Sequence, residues 1–94
     1  MLSENHFALL GYDQKTGEII AFSTAKYIPD INEAFILTIG VLPEYQDNGF
    51  GTKILNTTIA ILKTRYDPNL ICLHLDTRNT KALHIYTRAG FTRV

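Results

Sequence analysis

The sequence has 94 residues, enough for one domain, and 46% of them are hydrophobic and 19% charged. These proportions are globular and exclude a disordered chain. Nine basic residues balance nine acidic ones, so the formal net charge is zero. That balance argues against a broad nucleic-acid or anionic-membrane surface. No apolar run is long enough to predict a transmembrane helix, so we expect one globular domain over residues 1–94.

The cysteine and histidine content bears on the cellular compartment and on metal binding. Cys72 is the single cysteine, which excludes an internal disulfide and fits a reducing compartment. Residues 1–6 show no signal-peptide pattern, so a cytoplasmic location is the expectation. The three histidines lack the spacing of metal ligands, and we expect no metal site.

The first half of the chain predicts three strands. His6–Tyr12 and Ile19–Lys26 are apolar and β-prone, and residues 13–17 between them carry the aspartate and glycine of a turn. These two strands form a hairpin. Ala34–Val41 is a third apolar stretch, and Pro43 ends it because proline has no N–H to donate to a sheet. An antiparallel meander is the simplest arrangement.

The second half predicts a crossover. A helix over residues 51–66 is followed by a strand over 70–76, which should lie parallel to the third strand. A short helix over 80–88 comes next, and Gly90 sits where a helix-ending residue needs a positive φ. The fold class is therefore α+β, with an α/β-like layering of helix on a mixed sheet. The residues predicted to bury one face of the first helix are Ile54, Leu55, Thr58, Ile59 and Leu62.

The loop between the third strand and the first helix is a candidate anion site. Gln46-Asp47-Asn48-Gly49-Phe50-Gly51 joins a strand to a helix start, where backbone N–H groups are unpaired and carry partial positive charge. Glycines there allow a ligand to approach the backbone, and phosphate is the usual ligand. The alternative is that Gly49 and Gly51 only shape a tight turn.

Two segments resemble a known family. Gln46-x-x-Gly49-x-Gly51 matches the Q/R-x-x-G-x-G/A motif of the GNAT acetyltransferases, and Asn79-Thr80-Lys81-Ala82-Leu83-His84-Ile85-Tyr86 matches a second hallmark. Ala89-Gly90-Phe91 follows as in that family. Residues 34–94 look most like protein N-terminal α-acetyltransferases of the NatE and NatF type. The family fold normally has further elements before the first strand and after Gly90, so this chain looks like a partial domain.

The resemblance implies an enzyme that transfers acetyl from acetyl-CoA to an amine, with a protein N-terminal α-amine as the acceptor. The strand backbone around Leu37, Ile39 and Val41 would bind the pantetheine arm, and alternation along a strand puts these residues on one face with Phe35. The alternative is a plain core strand. Phe35 and Leu37 would line the acceptor site, and Asn79 would contact pantetheine. The residues expected around the pyrophosphate are Gln46, Asp47, Asn48, Gly49, Phe50, Gly51 and Thr52.

Catalytic roles also follow from the resemblance. His74 would act as the base through a water, since its ordinary pKa suits proton transfer near neutral pH, and Tyr86 would protonate the leaving thiolate. Purely structural roles are the alternatives for both. Two positions depart from the family: Phe35 stands where the relatives have a tyrosine, and Asp47 stands where related loops are usually basic. The Asp47 carboxylate predicts weaker cofactor affinity.

Three alternative interpretations fit the same residues. The chain could be a GNAT enzyme that acts on a small amine or on lysine. It could be a non-catalytic module that binds acyl-CoA, which the missing tyrosine hydroxyl at Phe35 would favour. It could also form a homo-oligomer or fold with a partner through an unpaired sheet edge.

Overall fold

A computed structural model describes residues 5–73, together with Thr87, Arg88 and Gly90. Four strands and one long helix make up this part of the chain, with a short 3₁₀ turn at Pro43–Tyr45 before the helix. The elements are β1 (His6–Tyr12), β2 (Ile19–Ile28), β3 (Glu33–Val41), α1 (Phe50–Tyr66) and β4 (Leu70–Leu73).

The four strands form one mixed sheet in the order β1-β2-β3-β4. The first three pair antiparallel, and β4 pairs parallel with β3 from Glu33↔Leu70 to Ile36↔Leu73. The predicted meander and the predicted parallel crossover are both confirmed. Since β1 to β3 are joined by short turns, only the β3–α1–β4 connection crosses over, and it brings α1 onto one face of the sheet.

Element boundaries depart slightly from the sequence-based expectation. β2 runs two residues further, to Ile28, because the ladder with β3 continues to the Ile28↔Glu33 pair. The helix begins at Phe50 rather than at residue 51, with Gly49 as its N-cap. The predicted strand residues 74–76 and most of the predicted helix over 80–88 lie outside the described residues. Thr87 and Arg88 are helical, and Gly90 has the predicted positive φ of 100°.

The core lies between α1 and the sheet. The predicted helix face is confirmed: Ile54, Leu55, Thr58 and Leu62 are buried, and Ile59 is half-buried against them. One apolar cluster lies beneath the C-terminal half of α1, and a smaller one of Ile20, Ala21 and Ile54 lies beneath its first turns. The residues that form the larger cluster are Ala25, Ala34, Ile36, Leu55 and Leu62.

A β-bulge in β3 overturns one prediction. Thr24 lies opposite Thr38 and the next residue, Ala25, lies opposite Ile36, so Leu37 is an extra residue on β3. Such a residue reverses the alternation of side chains along its strand. Ile36 before the bulge and Ile39 after it therefore both pack toward α1.

The prediction that Leu37, Ile39 and Val41 share a face with Phe35 is consequently wrong. Ile39 and Val41 contact the core under α1. Phe35 lies on the opposite face, where the Lys26 ammonium is 5.5 Å from its ring centre. Leu37, at the bulge itself, is 43% exposed.

The sheet face away from α1 is apolar in places and open to solvent among the described residues. Phe22 lies across Gly40 on this face, so closely that a side chain at position 40 would overlap the ring. Leu10, Tyr12 and Phe22 are each more than 40% exposed. Within the described ranges, no helix combines the length and apolar character needed to cross a membrane.

Candidate functional site

The candidate site begins where β3 ends. The chain leaves the strand at Val41, and the Leu42 N–H still donates to the Ile20 carbonyl at 2.9 Å. Pro43 starts the 3₁₀ turn, in which the Tyr45 N–H donates to the Leu42 carbonyl at 2.9 Å. The end of β3 is thus held firmly beside β2, and the residues that follow are directed toward the start of α1.

The loop residues 46–49 are exposed and have unusual backbone angles. Asp47 and Gly49 have positive φ values of 68° and 82°. A side chain on Gly49 would meet no atom within 4 Å, so open space lies beside its Cα. Glycine is the residue that adopts such a φ without strain, and here its small size also leaves the backbone accessible.

Gln46 supports the loop rather than pointing away from the protein. Its side-chain Nε2 donates to the Val41 carbonyl at 3.1 Å, and its backbone N–H donates to the Pro43 carbonyl at 3.3 Å. The Asn48 side chain donates to the Gln46 carbonyl at 3.4 Å. Gln46 therefore fixes the loop to the end of β3, a role that the sequence motif did not reveal.

The start of α1 has features that suit an anion. The N-cap residue is Gly49, which has no side chain to bond the first N–H groups of the helix, and the first turn contains no acidic residue. The first N–H groups of a helix have no partner within the helix, and they point along its axis with partial positive charge. Lys53 is exposed in the first turn and adds a full positive charge. These features fit an anionic group such as a phosphate.

Aromatic and acidic side chains border this site. Tyr45 packs edge-on against Phe50, with ring centres 6.0 Å apart. Its hydroxyl lies 3.5 Å from Glu18 Oε2. The charge of Glu18 raises the pKa of Tyr45 above its ordinary value, and partial burial and the charges of Asp13 and Glu44 add to that rise. Negative charge therefore gathers on one side of the loop.

The strand part of the site lies around the bulge. Because Leu37 has no residue opposite it on β2, its backbone groups leave the antiparallel ladder. On the open face, Phe35 lies beside Cys72 in the parallel pairing of β3 with β4. Burial raises the pKa of the Cys72 thiol, and the charge of Glu33 raises it further, so the thiol is neutral at neutral pH.

The structure brings only some of the predicted residues together. Residues 46–52 follow one another from the loop after β3 into the first turn of α1, with 46–49 exposed and 50–52 half-buried. His74, Asn79 and Tyr86 lie outside the described residues. Among those that are described, no group of three or more His, Cys, Asp or Glu side chains is placed to hold a metal ion.

Comparison with known proteins identifies the family. Residues 2–91 match the sequence profile of the acetyltransferase (GNAT) family. The chain belongs to the GNAT family. The resemblance read from the glycine loop and the asparagine–tyrosine segment is therefore confirmed at the level of the family, and the matched residues include both segments.

Curated relatives have two kinds of name. An N-alpha-acetyltransferase of Sulfurisphaera tokodaii is 28% identical over 78% of this chain and 44% of its own length. A mycothiol acetyltransferase of an Arthrobacter strain is 35% identical over 83% of this chain and 25% of its own length. The chain thus spans less than half of the curated relatives that it matches.

Solved structures confirm the fold class. The ribosomal-protein-S18-alanine N-acetyltransferase of Escherichia coli superposes with a TM-score of 0.85 and 26% identity, covering 99% of this chain and 57% of that one. A spermidine N-acetyltransferase of Vibrio cholerae gives a TM-score of 0.83 at 23% identity. The mixed sheet with α1 on one face is thus the GNAT arrangement.

Proposed function

We propose that the chain belongs to an acetyl-CoA-dependent N-acetyltransferase whose acceptor is a protein N-terminal α-amine. The observation that carries this proposal is the connection from β3 to α1. Gly49 with its φ of 82°, the uncapped helix start and the first turn without acids together form a surface suited to a pyrophosphate. The N-alpha-acetyltransferase of Sulfurisphaera and the ribosomal-protein-S18-alanine N-acetyltransferase of Escherichia coli, to which the chain is similar, support the choice of acceptor.

In this proposal, two parts of the chain hold the donor. The first-turn N–H groups of α1 and the loop 46–52 bind the pyrophosphate. The backbone around the Leu37 bulge, with Ile39 and Val41 beyond it, binds the pantetheine arm, and Asn79 adds a contact. Acetyl-CoA supplies an activated acyl group as a thioester. Holding the donor and the amine together removes much of the entropic barrier to transfer.

The remaining roles concern protons and the acceptor. His74 accepts the proton of the acceptor ammonium through a water, and Tyr86 donates a proton to the departing thiolate. Phe35 and Leu37 line the acceptor side. Phe35 offers no hydroxyl to order a water, so His74 carries more of the proton transfer than it would beside a tyrosine. Cytoplasmic location and homo-oligomerisation are further parts of the proposal.

The first test is thermal unfolding with and without acetyl-CoA. Free ligand at about one hundred times its dissociation constant should stabilise the chain by about 2.7 kcal/mol, which is several degrees for a small domain. Gly49→Glu places a charged side chain in the donor site and should abolish the shift. Gly17→Glu is the matched control, because Gly17 has a similar φ of 75° with open space beside it.

Transfer is then measured with acceptor peptides. The proposal predicts acetylation of a peptide α-amine and a large loss of turnover in His74→Ala. Donor binding without any transfer would instead support a non-catalytic acyl-CoA-binding module. If the chain unfolds cooperatively and acetyl-CoA does not raise its melting temperature, the proposed donor site is wrong.

A small amine is the second candidate acceptor. The higher identity to the Arthrobacter mycothiol acetyltransferase, 35% against 28%, favours it. Competition between a short peptide and a small amine for the same acetyl-CoA separates the two candidates. The acceptor with the larger kcat/KM identifies the substrate class.

A further inference from the structure

Two hydroxyl groups lie hydrogen-bonded in the core between α1 and the sheet. Ser23 on β2 and Thr58 on α1 are both fully buried, and they are the only buried polar residues within the described part of the chain. Their oxygens lie 2.7 Å apart. Thr58 Oγ1 also donates to the Ile54 carbonyl at 2.7 Å.

The direction of the bond follows from the number of protons. Thr58 has one hydroxyl proton, and the Ile54 carbonyl can only accept, so that proton is used within the helix. Ser23 must therefore donate to Thr58. The result is a directed chain from β2 through Thr58 to the backbone of α1.

This chain of bonds joins the two parts of the proposed donor site. Ser23 lies opposite Ile39, in the section of β3 just after the Leu37 bulge. Thr58 lies on the helix whose start follows the loop. The covalent connection between these parts, residues 42–49, is mostly exposed, so contacts between α1 and the sheet also contribute to their spacing.

We infer that Ser23 and Thr58 are positioning residues for the donor site. Apolar packing is non-directional and tolerates small shifts of a helix along a sheet, whereas a buried hydrogen bond has a narrow range of length and angle. The pair fixes α1 along its axis relative to β2, and the pairing of Ser23 with Ile39 extends this to β3. It thereby sets the distance between the helix start and the backbone around Ile39. This inference rests on the proposed function.

Two substitutions at one position separate positioning from stability. Thr58→Val keeps the shape of the side chain and removes the hydroxyl, whereas Thr58→Ser keeps the hydroxyl and removes a methyl group. Both lower the melting temperature. We expect Thr58→Val to weaken acetyl-CoA binding roughly fivefold, the change that corresponds to one net hydrogen bond. Thr58→Ser should bind like the unchanged chain, as measured by calorimetry well below both melting temperatures.

A double variant sharpens the test. Thr58→Val strands the Ser23 donor in the core, and adding Ser23→Ala removes that stranded group. The melting temperature should therefore rise again toward that of the unchanged chain. Donor affinity should stay low, because the link between α1 and β2 is still missing. A purely structural role predicts that both quantities recover together.

The outcomes distinguish this inference from the proposed function. If the unchanged chain binds acetyl-CoA and affinity follows melting temperature across all variants, positioning is overturned and the donor site stands. If the unchanged chain does not bind acetyl-CoA, the proposed function fails first. If Thr58→Val does not fold, Ser23→Ala alone leaves the helix bond intact, and an unchanged affinity in that variant overturns positioning.

Discussion

The two ends of α1 are built differently. At the C-terminal end, the Asp67 N–H donates to the Lys63 carbonyl at 3.0 Å, and Lys63 and Arg65 place positive charge in the last turn. Tyr66 stacks on Tyr27 with ring centres 4.4 Å apart. At the N-terminal end, Gly49 provides no side-chain cap and the preceding loop is exposed. The C-terminal end thus has a backbone cap bond and basic side chains, whereas the N-cap residue of the other end offers no side chain.

This difference separates the end of α1 that stabilises the fold from the end that we propose binds an anion. A capping side chain at position 49 would use N–H groups that an anion needs, and it would also be strained at the φ of 82° found there. The C-terminal end has no such conflict, and the Tyr27 hydroxyl extends its network to Asn32 Oδ1 at 2.5 Å. Substitutions at the two ends should therefore affect different quantities.

The largest expected effect is at the C-terminal half. Leu62 is fully buried in the larger core cluster, and Leu62→Ala should lower the free energy of unfolding by about 2–5 kcal/mol. Urea unfolding measures this. Acetyl-CoA affinity of the folded chain should not change. Exposed Thr64→Ala on the same half is the control and should remain within about 0.5 kcal/mol. A small loss in Leu62→Ala would contradict the assignment of the core to this half.

The next effect concerns the backbone at the N-terminal end. Gly49→Ala forces a side chain into a φ of 82° and should lower the free energy of unfolding by about 1–2 kcal/mol. Gly49→Asn should lose less, since asparagine tolerates this region better. Gly17, with a φ of 75°, is the matched site in the β1–β2 turn, and the same pair of substitutions there should give the same order. Equal losses for alanine and asparagine would argue against backbone strain.

Local patterns predicted most of the fold. Strand β1 was predicted at its observed ends, and the buried face of α1 was predicted correctly, because alternation and helical spacing are short-range signals. The bulge at Leu37 was not predicted. Residues 34–37 and 39 are all apolar, so nothing within β3 indicates where alternation reverses. Only the pairing with β2 fixes that position.

For a similar reason, the sequence predicted the position of the candidate loop but not the contacts that hold it in place. The glycine motif located the loop, since its spacing lies within six residues of sequence. The bond between Ser23 and Thr58 joins residues 35 positions apart, and either residue alone reads as an ordinary strand or helix residue. The Gln46 contact with the Val41 carbonyl also depends on how the loop turns. Both contacts depend on the folded path of the chain, and no local sequence pattern predicts them.

A smaller effect should follow from the loop charge. Asp47 lies in the proposed pyrophosphate loop, and Asp47→Asn should strengthen acetyl-CoA binding about twofold to fivefold, as expected for exposed charges. The gain should shrink as salt is added, because ions screen the repulsion. Asp30→Asn, in the β2–β3 connection, is the charge-matched control and should not change the affinity. Weaker binding in Asp47→Asn would show that this carboxylate supports the loop.

The smallest effect concerns Tyr45, whose pKa is raised chiefly by Glu18. Glu18→Gln should lower that pKa toward 10, as measured by alkaline titration of tyrosinate absorbance with Tyr45→Phe as the blank. A raised pKa means that the folded chain binds the phenolic proton more tightly than the unfolded chain. Its contribution to stability is therefore complete below pH 10 and is lost as the pH rises through the folded pKa.

Glu44→Gln is the control for Tyr45, because Glu44 is the weakest of the groups that raise its pKa. The shift in Glu18→Gln should exceed the shift in Glu44→Gln. The relative size of the two shifts shows how strongly each carboxylate acts beside the N-terminal end of α1, because Tyr45 contacts Phe50 and directly precedes the loop. If neither carboxylate moves the pKa of Tyr45, the acidic field beside the loop is too weak to oppose a phosphate. Any gain in Asp47→Asn would then come from the Asp47 carboxylate alone, which is not among the groups that raise the pKa of Tyr45.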